Sequence, residues 1–214
     1  MKHRNSHFAV GYWSRIRHGR AAPDQADIDP KVLKRLLPFV FLLDARPDGT
    51  FVHRLAGTAL CERYGGELRG RNFLGHWDAD SRARLTALLH QALAQKLPAS
   101  LISVGATEDC RMLETETVLM PLTFGGDAPQ RFLGVAQVLT DVSALAGRPI
   151  TFERLVSSKL IQEDETSSKT AVPQQLAAVT GWRAHPRAPH LKLVASNDNS
   201  PGGFKQDLDE SLAR

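Results

Sequence analysis

Cysteine is scarce in this chain: Cys61 and Cys110 are the only two in 214 residues, and neither has a second cysteine close by. That excludes a C-x-x-C zinc knuckle or redox pair and any disulfide framework. The two read as reduced thiols, one of them buried in a helix. Long apolar runs are also lacking. The longest, Leu36 to Leu43, is interrupted by Pro38 and falls far short of the ~20 residues a spanning helix requires. Met1 to Arg20 is basic and polar with no apolar h-region, so no secretory segment is read there and a cytoplasmic location is expected. Catalytic signatures are absent as well: there is no G-x-S-x-G, G-x-x-x-x-G-K-[ST], H-E-x-x-H or G-x-G-x-x-G.

Acid is missing from the first twenty residues, which carry Lys2, Arg4, Arg15, Arg17 and Arg20, whereas the rest of the chain is close to balanced. The net charge of +4 therefore belongs to an N-terminal arm and not to a basic domain, which argues against a dedicated nucleic-acid binder. What is present is an apolar content sufficient for one core of roughly 120–140 residues.

Ala9, Tyr12, Trp13 and Ile16 recur at helical spacing, ended by Gly19, and form an amphipathic helix too short to stand alone. Val32, Leu33, Leu36 and Leu37 make a turn and a half before Pro38. Phe39–Asp44 and Phe51–Ala56 read as a hairpin around Pro47-Asp48-Gly49. A short helix follows Gly57, closed by Gly65-Gly66, and then a small cluster at Phe73, Leu74 and Trp77. The clearest helix starts near Asp78–Ser81 and carries Leu85, Leu88, Leu89, Ala92 and Leu93 on one stripe. Three strands are expected after it, at Leu101–Gly105, Met112–Leu122 and Phe132–Thr140. In the middle one Leu113, Thr115, Thr117 and Leu119 alternate with Glu114 and Glu116, which reads as one wet or partnered face. Ile150–Ile161 reads as either a strand or a short helix.

The expected fold is α+β: a five-stranded antiparallel sheet with short helices and one longer helix on one face, preceded by an amphipathic helix. Residues 8–142 resemble the PAS family of single-domain proteins common in alphaproteobacteria. The resemblance rests on Tyr12-Trp13, Gly19-Arg20, Pro23, Asp27-Ile28-Asp29-Pro30, Leu36-Leu37-Pro38, Phe41-Leu42-Leu43-Asp44, Arg54-Leu55-Ala56-Gly57-Thr58 and Gly70-Arg71. The expected domains are residues 1–22 as the basic helix, 23–148 as the PAS-like domain and 149–214 as a largely disordered C-terminal extension rich in Ser, Pro, Gly and charge.

The resemblance implies a cavity, whose expected lining is Leu55, Leu60, Tyr64, Phe73, Trp77, Leu85 and Leu89; the plainer reading is that these residues simply fill the core. His76 falls among the short helices that wall such cavities, where a haem or metal role would need a free ring nitrogen, although a histidine at a helix boundary is more often a surface or capping residue. His90 lies off the leucine stripe. Cys61 sits in Leu-Cys-Glu-Arg-Tyr, unlike the Asn-Cys-Arg-Phe-Leu type motif of the flavin-binding branch, so a flavin-adduct role is not expected. Glu114 and Glu116 share a strand face but lack surroundings that would drive their pKa values apart. Arg54 is either outward and solvated or paired with an acid or an anionic ligand. No catalytic and no metal-binding residue is assigned, and the cofactor stays unassigned.

The implied function is a cytoplasmic sensory or adaptor module that regulates a partner protein, with a small ligand as one form of input. An enzyme using the cavity would need convergent polar residues that are not found. A nucleic-acid binder acting through the basic arm is the remaining alternative. Tyr12, Trp13 and Ile16 are expected at a homodimer interface, because their apolar surface needs a cover; the outer face of the chain's own sheet is the other cover available.

Overall fold

A computed structural model of the chain describes residues 1–162. Six strands, β1 (Val40–Ala45), β2 (Phe51–Ala56), β3 (Ala99–Ala106), β4 (Met112–Thr123), β5 (Pro129–Val138) and β6 (Phe152–Leu160), form one sheet in the order β2-β1-β5-β4-β3-β6. All neighbouring pairs are antiparallel. Three helices accompany them: α1 (Arg4–Ile16), α2 (Thr58–Arg63) and α3 (Ala79–Gln95).

The inner face carries Phe41, Leu43, Phe51, Leu101, Leu119 and Phe132, packed against Leu60 of α2, Leu68, Leu74, Trp77 and the Leu85, Leu89 and Ala92 stripe of α3. Asp78 starts α3 by accepting a 2.7 Å bond from the Ser81 N–H, the N-cap expected for its position. Gly57 precedes α2 where the chain crosses the backbone of Leu37 and Pro38, and any Cβ there would collide with those backbone atoms.

The outer face is not wet. Val118, Met120, Leu122, Leu133 and Val135 are covered by Ala9, Val10, Tyr12 and Trp13 of α1 and by Leu33 and Leu36. Trp13 Nε1–H donates to the Pro121 carbonyl at 2.7 Å, so the ring is buried with its polar atom satisfied. Glu116, expected at a solvated or partnered face, is buried. Its carboxylate accepts the backbone N–H groups of Lys2 and His3 at 2.6 and 2.8 Å, while Lys2 Nζ reaches Glu114 at 2.8 Å. Burial pushes the Glu116 carboxyl up, but the nearby Ser6 hydroxyl and the bonds from the His3 and Lys2 N–H groups outweigh it and the net shift is downward. A carboxylate under the first turn also suits the positive end of the helix. Tyr12 and Trp13 thus pack on the outer face of the chain's own sheet, the other cover expected for them, and Ile16 packs at the edge of the same cluster.

Two further expectations change. The sheet has six strands, not five, because residues 152–160 pair with β3 along its whole length. The ordered domain therefore continues past the expected limit at residue 148, with Ile150 and Leu155 buried. The outer edge of β6 is also shielded: the Asp78 N–H donates to the Glu153 carbonyl at 3.1 Å, and the Leu155 N–H donates to Ser81 Oγ at 2.9 Å. Covering half of an exposed edge in this way removes a template for strand addition. The rest of the 149–214 extension, from Glu163 onward, lies outside the described residues, and with it the disorder expected there.

Candidate functional site

Between the sheet and the short helices lies a small void of about 20 Å³, room for one water molecule. Its walls come from Phe41, Thr117, Ala136, Leu60 and Leu68, the rings of His53, Tyr64, Phe73, His76 and Trp77, and the carboxyl group of Glu153.

The polar groups are held firmly. Glu153 is 3 % exposed and accepts from Ser103 Oγ at 2.6 Å and from the Tyr64 hydroxyl at 2.8 Å. Burial pushes its pKa up, against the opposing pull of those two bonds and of Arg63. The Tyr64 ring retains some exposure, but its hydroxyl is interior, and burial together with the neighbouring carboxylate raises its pKa well above the ordinary value. Burial lowers the Arg63 pKa, and one of its guanidinium nitrogens, Nη1, has no hydrogen-bond partner.

His53 comes from β2. Its backbone is clamped by the turn at Gly70–Arg71, with the Gly70 N–H donating to its carbonyl at 2.7 Å and its own N–H donating to Arg71 at 2.9 Å. The ring lies 5.5 Å from Phe41 and 5.8 Å from Phe73, and its Nδ1 has no partner. Burial, and to a lesser degree the neighbouring His76, holds its pKa down at about 4, so the ring is neutral at physiological pH. His76 faces Tyr64 with ring centres 5.1 Å apart, and its pKa is lowered by burial and by Arg71. The site is an aromatic box with a carboxyl on one side and a neutral, unpartnered imidazole on another.

A family profile described as a PAS domain matches residues 1–137, well over half of the sequence. The chain belongs to the PAS domain family. Solved structures with a similar fold include a light-oxygen-voltage (LOV) protein of Rhodobacter sphaeroides, with TM-score 0.40 and 20% identity over 56% of this chain and 74% of that one. The LOV domain of the blue-light photoreceptor Aureochrome1 gives TM-score 0.42 and 16% identity over 55% and 86%. A PAS domain from Colwellia psychrerythraea gives 0.40 and 12% over 52% and 97%. No curated protein matches the sequence. At such scores and identities, nothing those proteins bind is carried over to this chain.

Of the residues expected to line the cavity of this PAS domain, Leu60, Tyr64, Phe73 and Trp77 do so. Leu85 and Leu89 are wholly buried in the core beside it. Leu55 is 48 % exposed. The reason is a bulge in β2: Leu42 pairs with Leu55 and Leu43 with His53, so Arg54 is an extra residue that reverses the alternation. His53 consequently faces inward, Leu55 faces outward, and Arg54 reaches Asp44 across 3.7 Å at the surface. Cys61 Sγ sits near the Ala56 carbonyl and Glu67 and does not line the void. A void of one-water size beside it has no room for a flavin or haem, so neither group fits this arrangement. His90 stays on the outer side of α3 against Phe51. The described residues contain no cluster of three or more His, Cys, Asp or Glu suited to a metal ion, and none of their helices is long and apolar enough to cross a membrane.

Proposed function

We propose that this PAS domain is a cytoplasmic, non-enzymatic sensory module that regulates a partner protein, and that its input is read at the Glu153–Tyr64–Ser103 and His53 cluster. The observation that carries this reading is one residue doing two jobs. The Glu153 side chain closes the cavity, while its backbone carbonyl accepts from Asp78 at the start of α3 and its strand forms the sheet edge. A proton, or a molecule no larger than water bonding to His53 Nδ1, changes the charge and hydrogen bonding of the box. Glu153 passes that change to β6 and α3, and β6 runs directly into the C-terminal part of the chain.

Catalysis draws little support from this arrangement. The box is water-sized, and Glu153 is already bonded to two hydroxyls, so no substrate can be brought against it without opening the core. Nucleic-acid binding through the N-terminal arm draws little either: Lys2 is paired with Glu114, Arg20 with Asp27, and Arg17 lies over the Trp13 ring. The test is native mass spectrometry with an absorbance spectrum on freshly purified protein, followed by an NMR titration of the histidines. The expected result is the bare polypeptide mass, no visible absorbance, and an imidazole at residue 53 that stays neutral down to about pH 4. Bound flavin or haem, or a His53 titrating at its ordinary value, would refute the reading.

A further inference from the structure

On the far side of the sheet from the cavity, α1 and the 31–36 segment enclose an open groove of about 430 Å³. Its walls combine two chemistries: Arg4, Lys31, Lys34 and Arg35 supply four cations, while Phe8 (43 % exposed) and Val32 (45 % exposed) present apolar surface between them. Among the described residues, none of the four cations forms an ion pair. The adjacent Asp29 carboxylate is engaged with the Lys31 backbone N–H at 2.9 Å.

The groove is preformed. Leu33 and Leu36 anchor the segment in the outer core, and the Asp29 N–H donates to the Tyr12 hydroxyl at 2.8 Å, tying the segment to α1. The opposite flank of α1 is fixed by Glu116. Exposed apolar residues within a rigid concave surface ringed by unpaired charge of one sign mark a docking site, whose partner carries the opposite charge.

We infer that this groove binds an acidic segment of a partner protein, with carboxylates on Arg4, Lys31, Lys34 and Arg35 and an apolar side chain seated between Phe8 and Val32. The concave shape favours a side-chain anchor over a lipid surface, which would be met by a protruding apolar edge. Phe8 is the one aromatic ring in the groove, facing aliphatic Val32 and Leu36, so a single base at most could stack there, which disfavours a nucleic acid strand. The inference gives the partner of the proposed function a chemistry and rests on that reading.

The test is fluorescence anisotropy with the full-length protein and a labelled synthetic peptide in which leucines recur between glutamates. The controls are the same peptide with alanine for leucine, phosphatidylglycerol vesicles and single-stranded poly-uridine. The expected result is saturable, salt-weakened binding, at least about tenfold weaker for the alanine peptide and for Arg35→Glu or Phe8→Ser, a loss of about 1.4 kcal/mol. Both residues are exposed, so unchanged melting midpoints confirm intact variants; Lys34→Gln, milder still, is read in the same way. Equal binding by the alanine peptide, insensitivity to Arg35→Glu and Lys34→Gln, or tighter binding of vesicles or RNA with the same sensitivity would overturn the inference. The cavity reading fails separately: if the peptide binds as expected but Glu153→Gln leaves its affinity unchanged at every pH, the groove stands and the sensor does not.

Discussion

Between pH 6.5 and about 4 the unfolded chain takes up a proton at residue 53 that the folded chain refuses, because the buried imidazole has no place for its charge. Stability contributed at this position is complete above pH 6.5 and falls with pH through that window, by about 3 kcal/mol in all. Glu153 acts in the opposite sense. Its folded pKa is raised, so the folded chain holds a proton that the unfolded chain releases above its ordinary 4.5, and stability falls as pH rises through the raised value. His53→Phe, placed between Phe41 and Phe73, should reduce the acid-side slope of urea-unfolding free energy against pH, leaving the part contributed by His76 and by the carboxylates whose pKa values are lowered. Glu153→Gln should abolish the slope on the other side. Slopes identical to the parent chain in both variants would show that other groups set the profile. The imidazole itself was not legible in the sequence as a cavity residue. A one-residue bulge at Arg54 decides which of His53 and Leu55 faces inward, and nothing in His-Arg-Leu-Ala signals it. Leu55→Ala should accordingly shift stability by no more than ~0.5 kcal/mol, checked by the same unfolding curves.

At the scale of elements, α1 behaves as a cover. Trp13→Ala should cost about 3–5 kcal/mol, as for a large buried aromatic, and should leave the sedimentation coefficient of the folded protein unchanged; dissociation of a dimer with an unaltered melting midpoint would mean that α1 is an interface after all. Leu89→Ala, central on the α3 stripe, should lower stability by ~2–5 kcal/mol, whereas Gln91→Ala should not. The stripe of α3, its start near Asp78 and the hairpin of β1 and β2 were all readable, because period and turn chemistry are local signals. The cover on β4 was not. Glu114 and Glu116 alternate with Leu113, Thr115 and Thr117 as they would on a wet face, and only the return of α1 from over a hundred residues away puts a carboxylate under its first turn. In the same way β6 was ambiguous between strand and helix, since Phe152 to Leu160 is short and half polar, and its pairing with β3 is what decides it. Glu153 was missed with it.

For the whole molecule, β6 is the last strand of the described sheet, and a chain ending at Gln162 retains it. One ending at Arg148 should melt well below it, because it exposes the edge of β3 and removes Glu153, Leu155 and the buried Ile150. The sheet has its sensor-like box on one face and the α1 cover with its basic groove on the other, and the central strands β4 and β5 contribute to both cores. The claim that joins these parts is that the charge state of the Glu153 cluster controls β6 and the start of α3. Its most direct measurement is amide hydrogen exchange, corrected for intrinsic rates, across a pH series on the parent chain and on Glu153→Gln. The account predicts that protection at residues 152–160 and 78–85 of the parent changes together with pH, and that the substitution removes this change while the rest of the sheet is unaffected. Parallel pH profiles in the two proteins at those residues would contradict it.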